Sequence, residues 1–262
     1  MKWFEALILG LVQGFTEFLP VSSSGHLELG NALFNTKTGE NFTFTVLVHG
    51  ATVLSIIIVF FKDIKTLLLD SFQFRWNESV RYLLKILISI IPVAVVGFFF
   101  QEQVELLFTG NILFVGCMLL ITAVLLILAS RQSSGTRSIS WLHALIIGIA
   151  QAVAVIPGIS RSGATISTGL LLGNKRDEVT RFSFLMVLIP VIGANMVDLF
   201  LNDRQPGNTV GTVPLLIGFF AAFLSGLVAC KWMIAIVRKG KLIWFGFYCL
   251  IIGTVAIIIS FF

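Results

Sequence analysis

Charge is scarce in this sequence. Only 12% of its 262 residues are Asp, Glu, Lys or Arg, where a water-soluble domain carries about 25%. With 57% hydrophobic residues, so few charges cannot keep a folded surface wet, and lipid must act as solvent. Cysteine is scarce too. Cys117, Cys230 and Cys249 sit inside apolar runs, odd in number and without metal-type spacing. That excludes a disulfide framework and a zinc site and leaves small packing residues. A small-x-small cleavage site is missing after Lys2 and the apolar stretch that follows, so residues 1–12 read as mature structure.

What the sequence has is apolar length. Ten hydrophobic helical segments fall at about 3–19, 23–33, 42–61, 80–100, 111–130, 139–156, 159–173, 178–200, 212–236 and 242–261. Crossing the hydrocarbon takes roughly 20 residues. The second and seventh segments are too short for that. The first and sixth each end at a proline, Pro20 and Pro157, and a polar turn. Each such pair of short helices reads as a re-entrant hairpin, whose broken backbone is tolerated at depth only inside protein or beside a water-filled cavity.

The order then repeats. A hairpin and three full spans (about 1–131) are followed by a hairpin and three full spans (about 138–262). Gly10-x-x-Gln13 opens the first turn and Gly148-x-x-Gln151 the second; Gln13 to Gly25 and Gln151 to Gly163 are both 12 residues. Three crossings per half make the second half enter from the opposite face. The expected fold is therefore a single all-α integral membrane domain with six full spans, two re-entrant hairpins and an inverted-topology repeat. Such repeats place their site near the midplane, where broken helices meet.

Loop charge sets the direction. One face collects 14 of the basic residues, among them Lys62, Lys65, Arg75, Arg131, Arg137, Lys175, Arg176, Arg238 and Lys239; the other has Lys2, Lys37 and Arg204, and Arg161 alone stays in a turn. The positive-inside rule makes the basic face cytoplasmic, with both termini and the opening of the first hairpin outside. The formal net charge of +5 is accounted for by this orientation and gives no reason to expect nucleic acid as a partner.

The first turn holds Gln13 and Glu17, four residues apart on one helix face, then Pro20, Ser22, Ser23, Ser24, Gly25 and His26. The second holds Pro157, Gly158, Ser160, Arg161, Ser162 and Gly163. Both turns lead into helix starts, where backbone N–H groups and the helix dipole favour an anion. Arg161 adds a fork suited to phosphate oxygens, so a diphosphate is a better fit than a carboxylate. Ser24, Gly25, Ser160, Arg161, Ser162 and Gly163 are the expected phosphate-binding residues. Glu17, with Gln13 in support, suits a hard divalent cation, Mg²⁺ or Ca²⁺, shared with phosphate oxygens. His26 suits a general acid or base, and Ser23 is the best candidate either to attack phosphorus or to hold a phosphate oxygen. Against these stand plainer readings: helix caps for the three serines, a structural partner of Arg161 for Glu17, and packing for His49. Glu28 has no evident role, and Asp177-Glu178 reads as a solvated turn.

With these residues in place, the chain resembles the bacterial undecaprenyl-diphosphate phosphatase family of the bacitracin-resistance type. The resemblance rests on Gln13-x-x-x-Glu17, Pro20-Val-Ser-Ser-Ser-Gly-His26 and Pro157-Gly-Ile-Ser-Arg-Ser-Gly163. Gln13 stands where the family has Glu or Gln, and Ser24 where it often has Thr. The resemblance implies metal-dependent hydrolysis of a C55 polyprenyl diphosphate to the monophosphate in the bacterial plasma membrane, recycling the carrier for peptidoglycan. It also implies Glu17, Ser22, Ser23, His26 and Arg161 as functional positions. The phosphatidic-acid-phosphatase type is excluded, because no His follows Ser160-Arg161 in the required place. A lipid-phosphate flippase using the same anion site stays open, as does a homodimer.

Overall fold

The computed structural model describes residues 1–34, 42–73, 75–107, 110–132, 135–200 and 210–261. Lys37 and Arg204, two of the three basic residues assigned to the outer face, lie outside that set. The described chain is helical: α1 (Trp3–Phe18), α2 (Ser23–Phe34), α3 (Phe42–Val59), α4 (Phe61–Ser71), α5 (Glu78–Phe99), α6 (Gln101–Glu105), α7 (Ile112–Ser130), α8 (Trp141–Val153), α9 (Arg161–Leu171), α10 (Arg176–Phe200), α11 (Thr212–Arg238) and α12 (Ile243–Ile259).

The two expected breaks occur where the residues demand them. Pro20 pushes Leu19 into extended backbone (φ −70°, ψ 147°), and α1 stops at Phe18. Near the second break, α8 ends at Val153, and Ser160 starts α9 by accepting from the Gly163 N–H.

Among the described residues, four helices are long and apolar enough to cross a bilayer: α5, α7, α10 as far as Met196, and α11. The bent pair α3–α4 counts as a fifth candidate. Helix α12 is apolar but has 17 residues, a length of about 25 Å. Two loops expected from the sequence contain helix. The stretch after the third segment turns by 73° and runs on as α4, because Lys62, Asp63, Lys65 and Asp70 interrupt the apolar run. Helix α6 occupies part of the 101–110 connection.

Several packing pairs correspond when the halves are exchanged. Helix α1 packs on α11 as α8 packs on α5, α3 on α11 as α10 on α5, while α3 meets α10 and α7 meets α12. Small residues allow these approaches. A Cβ at Gly10 would stand 2.9 Å from Ala221 Cβ of α11, and one at Gly148 would stand 2.8 Å from Ser89 Cα of α5. The base of the second hairpin is tied by backbone: Arg137 N–H donates to Gly173 O (3.2 Å) and Lys175 N–H to Arg137 O (3.0 Å). Glu178 accepts from the Ile139 N–H at 2.9 Å, and Asp177 pairs with Arg238 at 2.7 Å. Asp177 and Glu178, in the first turn of α10, are thus tied to their neighbours, and Asp177 is exposed as the sequence suggested.

Candidate active site

Position i of the first turn corresponds to position i + 138 of the second, as Gln13 does to Gln151. In space the two turns touch through corresponding contacts. A Cβ on Gly25 would lie 3.1 Å from Gly158 Cα, and one on Gly163 would lie 3.4 Å from Pro20 Cβ; each contact is the other with the halves exchanged. Ser162 Oγ also donates to Leu19 O at 3.3 Å.

Each turn is capped in the same way. Ser22 Oγ accepts from Gly25 N–H (3.2 Å) and Ser160 Oγ from Gly163 N–H (3.1 Å). Ser24 lies 3.3 Å from Ser22, and Ser162 3.3 Å from Ser160, hydroxyl to hydroxyl. Among the described residues Ser22 is the one non-glycine in left-handed backbone, at φ +67°. That conformation costs a non-glycine residue about 1 kcal/mol. Strain of this kind persists where the surroundings over-determine it; here the cap and the contact between turns supply the constraint.

Between the turns, the two charges of opposite halves meet. Arg161 Nη2 donates to Glu17 Oε1 in an ion pair, with the Glu17 side chain 6% and the Arg161 side chain 31% exposed. Glu17 Oε2 accepts from Gln13 Nε2 (3.0 Å) and Ser23 Oγ (2.9 Å). At the position corresponding to Ser23 the second turn has Arg161, so one half supplies hydroxyl and carboxylate and the other the guanidinium. Gln13, Glu17, Ser23 and Arg161 therefore form one cluster, while Ser22, Ser24, Ser160 and Ser162 hold the turns. The ring of His26 lies elsewhere. Its Nδ1 is 2.8 Å from Ser22 O, and its Nε2 2.8 Å from the Tyr248 hydroxyl of α12.

Beside the ion pair is a cavity of about 20 Å³ lined by Glu17, Arg161, Ser162 and Ser183, room for about one water. A larger cavity, about 560 Å³, opens among Asp63, Tyr82, Asp177, Arg181 and Arg238; it contains none of the two turns' residues.

The residues that fix this arrangement match a family over nearly the whole chain. Residues 6–255 match the family described as bacitracin resistance protein BacA. The chain belongs to the BacA family. Similar proteins carry the name undecaprenyl-diphosphatase. One from Christiangramia forsetii is 51% identical, covering 100% of this chain and 99% of that protein. One from Bacteroides fragilis is 50% identical over 99% of each, and one from Parabacteroides distasonis 51% over 98% of each.

Some polar contacts of this BacA chain had no signal in its motifs. Thr122 of α7 donates to Gly158 O (3.1 Å) and accepts from Ser160 N–H (3.1 Å), pinning the second turn. Cys249 of α12 donates its thiol to Pro20 O at 3.6 Å, pinning the first. Cys249 therefore does more than pack. His49 of α3 lies within electrostatic reach of Glu17, with its Nδ1 committed to Thr45 O at 2.9 Å. Glu28 is buried beside Gly110, with its Oε2 lacking a hydrogen-bond partner. These contacts come from helices remote in sequence, where one hydroxyl or thiol among apolar residues looks like any other.

Proposed function

We propose that this BacA protein hydrolyses a polyprenyl diphosphate, undecaprenyl diphosphate by the name its relatives carry, to the monophosphate and inorganic phosphate. The observation that carries the reading is the meeting of Glu17 and Arg161 from opposite halves, with Ser23 on the same carboxylate. Arg161 leaves Glu17 and takes the phosphate oxygens in bidentate fashion. The two helix starts add N–H donors and dipoles of the right sign for an anion. Glu17, freed from the guanidinium, keeps Ser23 as a donor and is the group in place to accept its proton. The hydroxyl oxygen attacks the terminal phosphorus, the bond to the bridging oxygen breaks, and the lipid monophosphate leaves. Water then cleaves the phosphoserine, regenerating Ser23 and releasing phosphate.

A divalent cation fits the same residues. Gln13 Oε1 is buried without a hydrogen-bond partner, and the atoms that Gln13 and Glu17 would offer a cation are oxygens, as Mg²⁺ or Ca²⁺ requires. No group of three or more His, Cys, Asp or Glu that could hold a metal occurs among the described residues, so substrate phosphate would complete the shell. Glu17 and Gln13 would hold the ion, which would offset phosphate charge.

The matching contacts of the two halves, and the 138-residue correspondence of the turns, support an inverted repeat of six spans. The basic face is then cytoplasmic. The head group enters from the outer face while its prenyl tail stays in lipid. The activity recycles the carrier lipid for wall synthesis and underlies bacitracin resistance.

Phosphate release from polyprenyl diphosphate by purified protein in detergent tests the reading, with and without chelator. Release by the wild type, stopped by Arg161→Ala in a folded protein, is the expected result. A protein that only translocates lipid releases none. Wild-type rates in Arg161→Ala would remove the guanidinium from the mechanism.

A further inference from the structure

Both ring nitrogens of His26 are committed. Nδ1 stands 2.8 Å from Ser22 O, a carbonyl that can only accept, so Nδ1 carries a proton. That fixes Nε2 as the nitrogen whose protonation changes. Nε2 in turn stands 2.8 Å from the Tyr248 hydroxyl. The two rings are stacked, with centroids 5.6 Å apart and planes 8° from parallel. Tyr248 also precedes Cys249, whose thiol donates to Pro20 O. Helix α12 therefore holds the first turn at two points, one on each side of Ser22, the residue in left-handed backbone.

A phenol is both donor and acceptor. It donates to Nε2 of the neutral ring and accepts from Nε2–H of the imidazolium, so one Tyr248 hydroxyl serves His26 in both protonation states without a change of place. A carbonyl or an amide N–H in that position could serve only one state.

We propose that Tyr248 is a positioning residue for His26: through its hydroxyl and its ring it fixes the tautomer and plane of the imidazole for phosphate hydrolysis. The inference rests on the reading of His26 as the general acid or base of that reaction, acting at Nε2. Tyr248 is 40% exposed and belongs to neither turn motif, and the fold does not depend on it for burial.

Four variants test this in the full-length protein in detergent: Tyr248→Phe, which keeps the stack, Tyr248→Leu, which removes both contacts, His26→Ala, and the double variant His26→Ala with Tyr248→Phe. Tyr248→Phe should lower kcat about tenfold, the size of one hydrogen bond to a working group, with KM unchanged. Tyr248→Leu should lower it further. The double variant should be no slower than His26→Ala alone, since the two residues act as one unit. The sequence has three histidines, His26, His49 and His143. In protein labelled with ¹⁵N-histidine, the Nε2 resonance missing from the His26→Ala variant should move in Tyr248→Phe, while the other two histidines stay fixed. Wild-type kcat in Tyr248→Phe would overturn the proposal, as would a slowed enzyme whose His26 resonances had not moved, or additive losses in the double variant. Full activity in His26→Ala would instead remove His26 from the reaction and leave the hydrolase site of Glu17 and Arg161 to be judged by its own variants.

Discussion

Glu17→Gln separates the two tasks of the ion pair. In the wild type Arg161 is spent on Glu17, and incoming phosphate must win it away. The isosteric amide keeps one oxygen that accepts from Gln13 and Ser23, and turns an N–H₂ group towards Arg161, donor against donor. Two unit charges about 4 Å apart attract by about 4 kcal/mol at an effective dielectric constant of about 20. Arg161 is 31% exposed along its side chain, so solvent and salt leave about 1.4 kcal/mol of that, about tenfold in affinity. Glu17→Gln should therefore bind a short-chain polyprenyl diphosphate about tenfold more tightly than the wild type. The measurement is made in excess chelator, which removes any effect of a cation. Turnover in the presence of metal should fall by at least about a hundredfold, as expected for loss of a general base. Affinity that falls together with turnover in a folded Glu17→Gln protein would refute the idea that the ion pair competes with substrate.

The helices that pin the turns offer further tests. Thr122→Val removes the donor to Gly158 O and leaves the buried Ser160 N–H without its partner; it should cost about 1–3 kcal/mol, seen as a lower thermal midpoint in detergent. Gly10→Leu and Gly148→Leu should each destabilise the protein by a similar amount, because each drives a side chain into the facing helix. Comparable losses at the two sites would support the matching of the halves, and a tolerated Gly148→Leu would count against it.

The fold was legible where the signal is local. Pro20 ends α1 by sterics, α8 ends four residues before Pro157, Ser22 and Ser160 cap the next helices, and the equal spacing from Gln13 to Gly25 and from Gln151 to Gly163 brings the turns into one register. The bend before α4 was less so. An apolar run that fades into Lys62 and Asp63 says where a span stops, without saying that a helix continues at an angle. Within the site, the grouping of Glu17, Ser23 and Arg161 followed from the motifs, and the direction of His26 did not. A ring orientation depends on which partner lies across the gap, and Tyr248 is 222 positions away. Cys249 looks like packing in the sequence for the same reason: its apolar neighbours are visible there, and the Pro20 carbonyl it meets is not.

The reciprocal seating of Gly25 on Gly158 and of Gly163 on Pro20 has a mechanical corollary. The loops behave as a pair of interlocked hooks, so a methyl group added to Gly25, 3.1 Å from Gly158 Cα, presses one hook against the other. Neither half can then drift in sequence at this point without the other absorbing the shift, and damage to one hook moves the hydroxyl and carboxylate of one half away from the guanidinium of the other.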